Sequence, residues 1–131
     1  MPFKHFFLTL GFYFSLMLSA FSQNTPTLLT TIFEVGGNCG MCEKRIETAA
    51  LGKGVIKADW DVTTKKMTLE YDAAKTSALA VQKRIAKAGH DTTFVEAKAK
   101  PYNNLPGCCQ YERMPYIKSP QGSDNHSNHN H

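Results

Sequence analysis

Cys39 and Cys42 stand two residues apart in the run Gly36-Gly37-Asn38-Cys39-Gly40-Met41-Cys42-Glu43-Lys44-Arg45-Ile46. A thiol must lose its proton before it binds a metal or attacks a disulfide. The first turn of a helix favours that loss through its unpaired N–H groups. Cys42 has the position for this help, and Cys39 lies in the glycine-rich loop before it. Two soft sulfurs brought together from loop and helix suit a thiophilic ion of low coordination, Cu(I) or Hg(II). Zn(II) normally takes four ligands, so it would also need His90, the cysteines at 108 and 109, or a second molecule.

The same spacing serves a thiol–disulfide redox protein. A thioredoxin-like chain, however, has a strand-helix-strand start before its hairpin and a proline facing the motif. Here a hairpin follows the first helix directly, and no proline occurs between Pro26 and Pro101. Metal binding is therefore the favoured reading and redox chemistry the alternative.

Cys108 and Cys109 are adjacent, so a bridge between them would close a strained ring. Neither cysteine pair encloses enough chain to act as a staple. Cys108-Cys109 reads as a second soft-metal site, as extra ligands folded onto the first, or as incidental thiols. His126, His129 and His131 could capture Cu(II), Ni(II) or Zn(II) loosely, or form a solvated low-complexity end.

The elements that must position the cysteines follow from periodicity. Leu28 to Val35 alternates like a strand, with Leu29, Thr31, Phe33 and Val35 on one face. From Met41 or Cys42 the period becomes helical, with Ile46, Ala49 and Ala50 apolar and Gly52 and Gly54 as stops. Val55 to Val62 and Met67 to Tyr71 alternate around Thr63-Thr64-Lys65-Lys66 and predict a hairpin. Thr76 or Ser77 caps a second helix with Ala78, Val81, Ile85 and Ala88 as its apolar stripe. Gly89 ends it, and Thr92 to Ala97 reads as a last strand. The order is the α+β, ferredoxin-like βαββαβ arrangement, in which the first and fourth connections share one end. His90 is then expected near the cysteine corner.

Residues 1–22 read as a cleaved export signal, with Lys4, an apolar run from Phe6 to Phe21, and a cut before Gln23. The mature protein is expected to be exported, periplasmic or extracellular, and soluble. Residues 23–27 form a leader and 28–98 the domain. Residues 99–120, punctuated by Pro101, Pro106, Pro115 and Pro120, read as an extended appendage whose apolar residues pack back. Residues 121–131 read as a disordered tail. The net charge of +4 arises from scattered basic residues, which gives no support for nucleic-acid binding. No paired carboxylates, serine–histidine arrangement or phosphate-cradling loop suggests an enzyme.

Residues 28 to 97 resemble the heavy-metal-associated domain family, which includes small copper chaperones, modules of metal-pumping P-type ATPases and the periplasmic mercury-binding protein. The resemblance rests on Gly37-Asn38-Cys39-Gly40-Met41-Cys42, Ile46, Gly54-Val55, Tyr71-Asp72 and Ala88-Gly89-His90. It implies that Cys39 and Cys42 are the metal ligands and that His90 tunes the site. It also implies a non-enzymatic carrier or scavenger of Cu(I) foremost, with Hg(II) or Zn(II) as alternatives. A metal-transporting membrane protein is the implied partner, and the protein would be a monomer or a metal-bridged dimer. The family's loop usually carries a methionine before the first cysteine, where this chain has Gly36-Gly37-Asn38.

Overall fold

A computed structural model describes residues 25–115 and residue 117. Residues 1–22, expected to be an export signal, and His126, His129 and His131 lie outside the described residues. The elements in chain order are β1 (Leu28–Glu34), α1 (Gly40–Ala50), β2 (Val55–Trp60), β3 (Lys66–Asp72), α2 (Ala78–Lys87) and α3 (Ala99–Asn103), followed by a 3-10 turn at Gly107–Cys109. No helix among the described residues is long and apolar enough to cross a membrane.

β3 is the central strand, antiparallel to β1 on one side and β2 on the other. Leu28 to Glu34 pair in unbroken register with Asp72 to Lys66, while a bulge between Val55 and Lys57 shifts the β2 register. The alternation read from the sequence is the physical cause, since period-two side chains present one apolar face to the core. Phe33, Trp60, Met67, Leu69 and Tyr71 point inward and are buried, whereas Ile32 on the other face is 62% exposed. The hairpin turns at Asp61, whose carboxylate accepts from the amides of Thr63 and Thr64, and at Lys65, which has a positive φ.

The core lies between this sheet face and the buried stripes of the helices: Cys42, Ile46 and Ala50 from α1, and Val81 and Ile85 from α2. Ser77 caps α2 by accepting from the Ala80 amide at 3.2 Å, and Gly89 stops it at a positive φ of 104°. Helix α1 ends with Leu51 as its C-cap, directly before Gly52, whose φ is not positive. Arg84 of α2 donates to the carbonyls of Ala49 and Ala50, satisfying acceptors that a helix end leaves free.

Two expectations are corrected. The last strand does not form: residues 92 to 97 contribute one isolated bridge, Val35 to Thr92, beside β1. Local polar side chains take the backbone donors that a strand would need. The Val95 amide bonds the Thr92 hydroxyl, the Phe94 amide bonds Gln82, and the Ala97 amide bonds Asp91. The observed order is thus βαββα, with the sixth element reduced to a bridge. Residues 99–109 are also not extended. Pro101 sits in the short helix α3, where its missing N–H falls among amides that a helix start leaves unpaired anyway. Packing continues beyond it, because Leu105, Cys109 and Tyr111 belong to the same core as the sheet.

Candidate metal centre

The cysteine corner begins where β1 ends. The Gly36 amide donates to the Asp91 carbonyl at 2.8 Å, which pins the loop start to the segment after α2. Gly36 and Gly37 are buried, and their lack of side chains is what allows the packing around them. A Cβ on Gly37 would come within 3.0 Å of the Trp60 ring and 3.1 Å of Cys42 and Ile46. Trp60 therefore fills the space that a methionine at this position would need. Its indole N–H donates to the Val35 carbonyl at 3.2 Å.

Cys39 is the N-cap residue of α1, with extended backbone, and Cys42 lies in the first turn. Their sulfurs are 4.0 Å apart. Cys39 is partly exposed, Cys42 is fully buried, and neither is in a disulfide. The electrostatics invert the sequence expectation. The backbone N–H of Cys42, and next that of Met41, hold the Cys39 thiol below the usual value of 9.0. Burial pushes the Cys42 thiol above it, against the Asn38 amide that donates to its sulfur at 3.4 Å. The physical reason is the position of the cap: the N–H groups of the first helical turn point toward the N-cap sulfur, while the Cys42 side chain turns into the core.

The C-terminal segment closes over this corner. Tyr111 packs its ring against Gly36, in the space that a Cβ there would occupy. Its hydroxyl accepts from the Asp91 amide at 2.5 Å and donates to the Gly89 carbonyl at 3.0 Å, and burial holds it protonated far above the usual phenol range. The Asn38 side-chain amide donates to the Gln110 carbonyl at 3.2 Å. Immediately before these two anchors in the chain lie Cys108, exposed, and Cys109, fully buried. The Cys39, Cys108 and Cys109 sulfurs all lie within 4.8 Å of one another. Cys108 also approaches the Met41 thioether at 3.9 Å.

His90 is at the expected end of the fold but not among the thiols. It is fully buried, stacked on Tyr111 with ring centroids 5.6 Å apart, and its Nδ1 lies 2.8 Å from the Gly36 carbonyl. A carbonyl can only accept, so Nδ1 carries the proton in the neutral ring. Nε2 is buried without a partner. Burial, opposed by the Gly36 bond, pushes the imidazole below its ordinary value of 6.5. His90 thus braces the loop from beneath. Tyr111, Asn38 and Trp60 were not foreseen as parts of this site. The apolar residues between Tyr102 and Tyr111 signal packing, but not where.

Residues 32–91 match the family model for the heavy-metal-associated domain. A zinc-transporting ATPase of Synechocystis sp. is 36% identical over 80 residues, covering 60% of this chain but only 11% of the ATPase. Among solved structures, oxidised MerP from Ralstonia metallidurans is similar at 29% identity and a TM-score of 0.48, over 50% of this chain and 94% of that one. A CopZ metallochaperone is similar at 27% identity and a TM-score of 0.47, over 49% of this chain and 98% of that one. The cysteine motif at the start of α1 agrees with this match, and the segment 32–91 is similar to a heavy-metal-associated domain.

Proposed function

We propose that this protein is an exported carrier or scavenger of a thiophilic metal ion, Cu(I) foremost, taken up between Cys39 and Cys42. The observation that carries the reading is the pair of unbridged sulfurs 4.0 Å apart, one partly exposed at the helix start and one buried. At a metal–sulfur bond of about 2.3 Å, one ion reaches both sulfurs at this separation. Cys39, partly exposed and with its thiol held below the usual value, is the sulfur that meets an incoming donor. Cys42, held in the core, is the one that stays in place. Release reverses the order, one thiolate at a time, to a metal-transporting membrane protein. The likeness to a metal-pumping ATPase supports such a partner. The signal-like composition of residues 1–22 supports action outside the cytoplasm.

The pair is tested by replacing both cysteines, Cys39→Ser with Cys42→Ser, and titrating reduced protein with Cu(I). One-to-one binding is expected to disappear. Unchanged tight binding would overturn the assignment.

A further inference from the structure

We propose that Cys108 and Cys109 join Cys39 in a three-sulfur site, so that the C-terminal segment turns the two-cysteine motif into a retaining centre. The inference rests on the metal-binding reading above and adds its coordination.

The placement is built. Adjacent residues in an extended chain turn their side chains to opposite sides, yet on the 3-10 turn Gly107–Cys109 the two sulfurs stand 4.0 Å apart. The turn is held by the Cys109 amide, which donates to the Pro106 carbonyl at 2.7 Å. It is tied to the cysteine loop by the Asn38–Gln110 bond, and Tyr111, two residues on, is locked between Gly36, Gly89 and Asp91.

The Cys108–Cys109 spacing matches a trigonal arrangement, and the spacings to Cys39 need only close slightly to join it. With metal–sulfur bonds of about 2.3 Å, sulfurs opposite each other stand about 4.6 Å apart, those in a trigonal plane about 4.0 Å, and those on a tetrahedron about 3.8 Å. The Cys39–Cys42 and Cys108–Cys109 separations are both 4.0 Å. Cys39 belongs both to the pair and to the group Cys39, Cys108, Cys109, whose sulfurs lie within 4.8 Å of one another. The Met41 thioether, 3.9 Å from Cys108, adds a soft donor at the rim. Thiolate and thioether donors suit soft ions, Cu(I) among them.

Cys39 is then a pivot. An ion held by Cys39 and Cys42 gains bonds to the Cys108 and Cys109 sulfurs, whose two protons leave to water, and loses its bond to Cys42, which takes one proton back. No electron is transferred. The three-sulfur state releases the ion more slowly, because three bonds must be exchanged in place of two.

The test is X-ray absorption on the full chain loaded anaerobically with one equivalent of Cu(I). It is paired with competition against a chromogenic Cu(I) chelator. Wild type is expected to show three sulfurs. The double variant Cys108→Ser with Cys109→Ala should still bind one Cu(I), with two sulfurs and at least about tenfold weaker retention, equivalent to about 1.4 kcal/mol. Cys108→Ser alone, at an exposed position, should lower the sulfur number without unfolding the protein. Two sulfurs in wild type, or unchanged retention in both variants, would overturn the three-sulfur site and leave the Cys39–Cys42 reading standing. Failure of wild type to take up Cu(I) would overturn both.

Discussion

Asp91 grips Arg113 by two contacts, Nε to Oδ2 at 2.6 Å and Nη2 to Oδ1 at 2.7 Å, and so ties the C-terminal segment to the turn after α2. The carboxylate is 2% exposed and also receives the amides of Ala97 and Met114. Arg113 in turn donates to the Ala97 carbonyl and lies over the Tyr102 ring. The segment that carries Cys108 and Cys109 is anchored at this ion pair and at Tyr111.

Arg113→Met should leave the Asp91 charge buried without its partner. The expected loss is about 2 kcal/mol, less than the ~3–5 of a fully buried pair, because the Arg113 side chain is 31% exposed. Arg113→Lys should recover only part of it, since a point charge cannot make two parallel bonds. Urea unfolding of reduced protein measures both. Wild-type stability in Arg113→Met would show that the anchor contributes nothing.

Gly37→Ala should cost about 1–3 kcal/mol, the usual penalty of an overfilled core. Its Cβ meets the outer edge of the Trp60 ring at 3.0 Å. Trp60→Phe removes that edge, so the double variant should be less damaged than the sum of the singles. A coupling of about 0.5–3 kcal/mol in thermal or urea unfolding is expected. Strict additivity would mean that Trp60 does not occupy the space beside Gly37.

His90 should make the domain acid-sensitive. Its folded value is depressed below the ordinary 6.5 by burial, with Arg45 acting the same way, against the opposing Gly36 bond and the Asp91 charge. The unfolded chain therefore binds the proton more readily. The neutral ring's contribution is fully present above 6.5 and is lost as pH falls from there through the folded value. The slope is at most about 1.4 kcal/mol per pH unit. His90→Gln keeps an N–H that could face Gly36 and cannot titrate, so its stability should fall less between about pH 7.5 and pH 5. Equal slopes for the two proteins would remove His90 as the cause.

Local pattern sets the sheet faces, the helix stripe of Ile46 and Ala50, the Ser77 cap, the Gly89 stop and the placing of both motif cysteines at a strand-to-helix corner. Each of these follows from local periodicity or from the backbone freedom of one residue. Tertiary structure alone decided what depends on partners distant in the chain. Thr92 to Ala97 alternates well enough for a strand. It does not form one because Asp91, Thr92 and Gln82 take its backbone donors and Arg113 takes the Ala97 carbonyl. The inversion of the two thiols, Cys39 lowered and Cys42 raised, came from burial that spacing does not encode. The return of Cys108 and Cys109 to Cys39 is a contact across about seventy residues, set by Tyr111 and Arg113 finding Gly36 and Asp91. Periodicity acts only between near neighbours, so such a meeting leaves no local trace in the sequence.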